Sequence, residues 1–70
     1  MRQSFAVVIE ENDHNFCAYV PDLPGCVATA PTRDQVIEEI RSAIAFHLDG
    51  MAADAQALPA ARSSVTTVLV

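Results

Sequence analysis

Two periods of apolar residues, one after the other, divide this chain. Ser4 to Glu10 is rich in Val and Ile and is predicted to be a first strand. Glu11 to Asn15 gathers Asn and Asp side chains over a length that joins hairpin strands, so it reads as a turn. Phe16 to Val20 is strand-prone again and stops at Pro21, which has no N–H to give a ladder. Cys26 to Ala30 is the third expected strand. The period then changes. Val36, Ile37, Ile40, Ala43, Ile44, Leu48 and Met51 recur at the spacing of one helical face, while Arg33, Asp34, Glu38, Arg41, Ser42, Ala45 and Asp49 fall mostly opposite. The helix is expected from a Thr32 cap to about Asp49. Gly50 either ends it or is passed through at a cost of about 1 kcal/mol. Ala55 to Ser64, which contains Pro59, is a connection, and Val65 to Val70 is a last strand.

Two junctions carry particular chemistry. Leu23-Pro24-Gly25-Cys26 fits a type II turn: Pro24 pre-sets the first corner, Gly25 supplies a positive φ at the second, and Cys26 closes it. Thr32-Arg33-Asp34-Gln35 is a helix start, with Thr32 as cap and Gln35 three residues on.

The order β-β-β-α-β limits the topology. Three consecutive strands make an antiparallel meander, and a right-handed crossover through the helix places the last strand beside the first. The expected fold is α+β: a mixed four-stranded sheet of order 3-2-1-4 with one helix packed on one face, forming a single domain over residues 1–70. Phe5, Val7 and Ile9 alternate with Ala6 and Val8, and Phe16, Ala18 and Val20 with Cys17 and Tyr19, so both sheet faces are largely apolar. One helix covers one face. A homo-oligomer, a symmetric dimer or higher, is the expected cover for the other. The alternatives are that Ala55 to Ser64 folds back over it, or that its small residues are tolerated in water.

Seventy residues make one small domain with a marginal core. Four Lys and Arg against nine Asp and Glu leave a net charge of −5, and Arg2, Arg33, Arg41 and Arg62 are scattered. That balance argues against direct nucleic-acid binding, which needs clustered cations, and suits a basic protein partner or simple solubility. The apolar run Phe5 to Ile9 is too short for a secretory signal and is followed at once by Glu10 and Glu11. Nothing is long enough to cross a membrane, and cytoplasm is the expected location. Cys17 and Cys26 are too few for a disulfide scaffold and are read as buried free thiols.

Candidate catalysts are scarce. The predicted topology resembles the first half of the ribonuclease H fold, whose enzymes need clustered carboxylates on the sheet to hold divalent metal. Here the first strand has Ala6-Val7-Val8 at its centre, and Val65 to Val70 contains no acid. Glu38 and Glu39 read as a solvated helix surface, and Glu10, Glu11 and Asp13 as an exposed acidic loop. No local motif joins Cys17 or Cys26 to His14 or His47 as a nucleophile pair. Neither an enzyme, a metal site nor a cofactor is expected. Phe46 lies outside the apolar stripe, so it either packs beneath the segment after the helix or contacts a second subunit.

AYVPDLPGCVATA, the capped start TRDQVIEEI and the helix body AIAFHLDG together resemble the HicB-like antitoxins of bacterial toxin–antitoxin pairs, over about Phe5 to Val70. The resemblance implies a partial ribonuclease-H-like βββαβ domain without catalytic acids. It also implies an antitoxin that binds and inhibits HicA, a small basic ribonuclease that cuts messenger RNA. Family members commonly carry a further C-terminal DNA-binding domain. These 70 residues contain no such segment, so direct DNA binding is not expected. The implied mechanism is steric, the domain covering the toxin's RNA-binding surface. Asp22, Leu23 and Pro24, at a turn beside a strand end, are candidate contacts, with Tyr19 and Phe46. Alternatively that loop only shapes the sheet and packs on the helix. Two other functions stand beside this one: an oligomeric structural or interaction protein without a toxin partner, and a relic metal-dependent nuclease.

Overall fold

The computed structural model describes residues 3–54 and 56–70. Three strands, β1 (Val8–Glu11), β2 (Phe16–Tyr19) and β3 (Val27–Ala30), form an antiparallel sheet in the order β1-β2-β3, followed by one helix, α1 (Arg33–Ala53). The β1–β2 turn closes where the Asn12 N–H donates to the Asn15 carbonyl at 2.8 Å, and the Asn12 side-chain amide donates to Asn15 Oδ1 at 3.0 Å.

Register assigns the two faces. Ile9 lies opposite Ala18 and Ala18 opposite Ala28, with Phe16 and Ala30 paired one step away on the same side. These residues pack with α1 around a core of Ala18, Val20, Leu23, Cys26, Ala30, Val36 and Ile40. Phe5 and Val7, continuing the alternation of Ile9 back from β1, pack against it too. On the outer face Val8, Tyr19 and Val27 make one apolar row, while the next row is Glu10, Cys17 and Thr29. The expected second apolar face is therefore a single row, with Val27 65% exposed.

The helix starts as its sequence dictates. Thr32 is extended, at φ −127° and ψ 160°, and its Oγ1 accepts the Gln35 N–H at 3.1 Å. The Gln35 side chain in turn accepts at Oε1, but from the Thr32 hydroxyl at 3.1 Å rather than from the Thr32 backbone N–H. Of the predicted stripe, Val36 and Ile40 are buried and the others half-buried. The helix passes Gly50 and ends at Ala53.

One expectation is overturned. The mixed four-stranded sheet of order 3-2-1-4 does not form: Val65 to Val70 enters no ladder with the described residues, and Leu69 is 100% exposed. The βββαβ partial ribonuclease-H-like arrangement rests on that strand and falls with it. The physical reason lies just upstream, where hydrogen bonds at Ala61, Arg62 and Ser63 tie the chain to Gln3 and Asp22, and the last residues run on into solvent. β1 is also shorter than the predicted Ser4 to Glu10. Val20 gives its N–H to Cys26 on the β3 side of β2, so the next position that would face β1 beyond Tyr19 is Pro21, which has no N–H to offer.

Candidate functional site

The loop between β2 and β3 is two turns in succession. The Leu23 N–H donates to the Val20 carbonyl at 3.1 Å across Pro21 and Asp22. The Cys26 N–H then donates to the Leu23 carbonyl at 3.0 Å across Pro24 and Gly25. Gly25 stands at φ 84°, the left-handed corner a type II turn requires. The Val20 N–H closes the loop by donating to the Cys26 carbonyl at 3.2 Å.

This double turn directs alternate side chains inward and outward. Leu23 is 1% exposed and Cys26 4%, both within the core, and burial pushes the Cys26 thiol pKa up. Pro24 and Gly25 are exposed at the tip. Asp22, half-buried, turns towards the segment before the C-terminal residues. Its Oδ2 accepts the N–H groups of Arg62 at 2.9 Å and Ser63 at 2.8 Å, and its Oδ1 accepts the Ser63 hydroxyl at 2.9 Å. Donation from the Ser63 N–H is the main force holding this carboxyl below the usual Asp range; partial desolvation opposes it, and the Ser63 hydroxyl and Arg62 add to it. Gln3 Oε1 accepts the Ala61 N–H at 3.0 Å, giving the same segment a second attachment.

The candidate contact residues therefore separate. Leu23 belongs to the core and is unavailable to a partner, and Asp22 is engaged by its own chain. Tyr19, 41% exposed, stands on the outer sheet face, whereas Phe46 is 81% exposed on α1, across the sheet from it. That exposure excludes packing of Phe46 beneath the segment after the helix. The Asp22–Ser63 contact, spanning 41 positions, was not anticipated from sequence. Its only trace there is an Asp in a turn and a polar Arg62-Ser63-Ser64 run, with nothing to pair them. Cys17 is half-buried and its sulfur lies 3.1 Å from the Asn12 side-chain amide.

At the junction of β3 and α1, the other end of β3 from the loop, Asp34, Glu38 and Glu39 line a groove with Ala30 and Pro31. Arg41 meets Glu38 at 3.6 Å, an exposed pair of little energetic weight. Among the described residues no three His, Cys, Asp or Glu side chains are grouped to hold a metal ion, and no helix is long and apolar enough to cross a membrane.

These features define a small meander-and-helix domain whose loop carboxylate holds a distant part of the chain. Residues 5–69 match the family described as the HicB-like antitoxin of bacterial toxin–antitoxin system, and the chain belongs to that family. It is similar to a UPF0150 protein of Helicobacter pylori, 33% identical over 58 residues that cover 83% of this chain and 81% of that protein. A UPF0150 protein of Archaeoglobus fulgidus is 39% identical over 46 residues, covering 64% of this chain and 67% of the other. An uncharacterized 14.9 kDa protein in the rep-hol intergenic region of Haemophilus phage HP1 is 33% identical over 55 residues, 79% of this chain. The aligned part is only 41% of that phage protein's length. No solved structure matches the chain.

Proposed function

We propose that this protein is an antitoxin that binds a small basic HicA-type mRNA-cleaving toxin and inhibits it by steric cover, without catalysis, in the cytoplasm. The observation that carries the reading is the family match over residues 5–69. Charge supports it: a net −5 and the run of Asp34, Glu38 and Glu39 along α1 favour a cationic partner and speed encounter with it.

Co-expression with a HicA-type toxin tests the reading. The expected result is a complex that survives purification, rescue of growth, and loss of RNA cleavage in vitro as this chain is added. Binding should weaken as salt rises, because the attraction is screened. Growth arrest and RNA cleavage unchanged by this chain would overturn the proposal.

A further inference from the structure

The residues after the Asp22 attachment have the make-up of a buried strand without its surroundings. Val65-Thr66-Thr67-Val68-Leu69-Val70 contains no charge, Gly or Pro, and every residue is β-branched except Leu69. All six are exposed, and none enters a ladder with the described residues. A run of this type offers its backbone groups to any free sheet edge.

The same molecule presents such an edge. Among the described residues β1 pairs only with β2, so its other side is open. α1 packs on β2 and β3. Where it reaches past them, an open apolar groove lies between the helix and the residues leading into β1. Its lining is mostly apolar, with Phe5 and Val7 from the strand side and Ile37, Ile44 and Leu48 from the helix, while Gln3, Arg41 and the chain's own Leu58 also border it. The chain's own last six residues do not enter it, because Ala61 to Ser63 are held at Gln3 and Asp22 and the chain leaves them outward.

We infer that residues 65–70 of one copy occupy this groove in a second copy, pairing with the free edge of β1 and the residues before it, while the second copy returns its own segment. Each protomer carries one arm and one groove, so two copies satisfy both needs and close on a two-fold axis. An arm about 20 Å long, covered on both faces, gives with its symmetry mate a buried area on the order of a standard interface. The arm's side chains carry no charge, so two chains of net charge −5 can associate through it without burying a side-chain carboxylate. This inference is independent of any toxin.

The test uses the unmodified chain. Sedimentation at micromolar concentration should give a dimer. In a sample mixing isotope-labelled and unlabelled copies, nuclear Overhauser contacts filtered for pairs between copies should join the Val68 and Leu69 methyls to the Phe5 ring or the Ile44 side chain. Val68→Pro removes an N–H from the arm and should weaken the dimer roughly 100-fold, leaving helical circular dichroism unchanged. A lone protomer at all concentrations overturns the inference. So do arm contacts confined to one copy, a dimer joined instead through the Val8–Tyr19–Val27 row, or a Val68→Pro dimer as tight as the original. Should that variant fail to fold, the mixed-label contacts on the unmodified chain decide.

Discussion

Asp22 and Ser63 lie 41 residues apart and meet through two hydrogen bonds, one from the Ser63 N–H and one from its hydroxyl. The Arg62 N–H adds a third bond to the same carboxylate. A side chain on the loop between two strands thereby fixes where the chain goes after the helix. Asp22→Ala leaves the core untouched but removes all three acceptor contacts. Amide exchange at Arg62 and Ser63 should become roughly tenfold faster, with protection in α1 unchanged. Asp22→Asn keeps one acceptor oxygen and should fall between. Equal exchange in Asp22→Ala and the parent would mean that the attachment does not form in solution.

Acidity should release the same attachment. The Asp22 pKa is lowered in the folded chain, chiefly by the Ser63 N–H. A depressed carboxyl contributes stability above its unfolded pKa of about 3.9 and loses it as pH falls through the folded value. The Arg62 and Ser63 amides should therefore stay protected at neutral pH and lose protection below about pH 4, and Asp22→Asn should abolish that pH dependence. A pH titration followed by the Ser63 amide resonance measures it. Protection falling at neutral pH would point to another group.

The loop's structural part separates from any contact role by substitution. Leu23 fills the core at 1% exposure, so Leu23→Ala should cost about 2–5 kcal/mol in urea unfolding. A Cβ on Gly25 would meet nothing within 4 Å, yet the residue stands at φ +84°. Gly25→Ala should cost only the backbone strain, about 1–2 kcal/mol, and Gly25→Asn less. Pro24→Ala should cost less, about 0.4–1 kcal/mol from the freer unfolded chain, which makes it the informative variant for toxin binding.

Legibility from sequence followed the range of the interaction. The Pro24-Gly25 turn, the Thr32 cap and the apolar stripe of α1 are written in residues within one or two turns of one another, and all three form as expected. Strand ends were less legible because the start of β1 is set by its partner strand: the ladder begins at the Val8–Tyr19 pair, and the next β2 position facing β1 is Pro21, which has no N–H. The strand propensity of Val65 to Val70 was plain, but propensity does not name a pairing partner, and a contact at Asp22 decides where that segment lies. Leu23 reads two ways from sequence, as a contact at an exposed turn or as part of a loop that packs on the helix, and its burial favours the second. A residue between two prolines reads as exposed, and only the double turn shows that its side chain folds inward.

The two thiols give a last prediction, because they report on opposite sides of the sheet. Cys26 sits in the core at 4% exposure, and burial raises its pKa, so the reactive thiolate is scarce and shielded at neutral pH. Cys17 is half-buried on the outer face, in the row between Glu10 and Thr29. Iodoacetamide applied to the native chain should therefore label Cys17 first, with Cys26 reacting only as the fold opens. Urea should make the two rates converge. Peptide mapping over a time course reads both rates from one sample. Cys26 reacting as fast as Cys17 without denaturant would mean that the Pro21–Cys26 loop opens by itself, independently of α1, and that its hydrogen bonds to Val20 and Leu23 are transient.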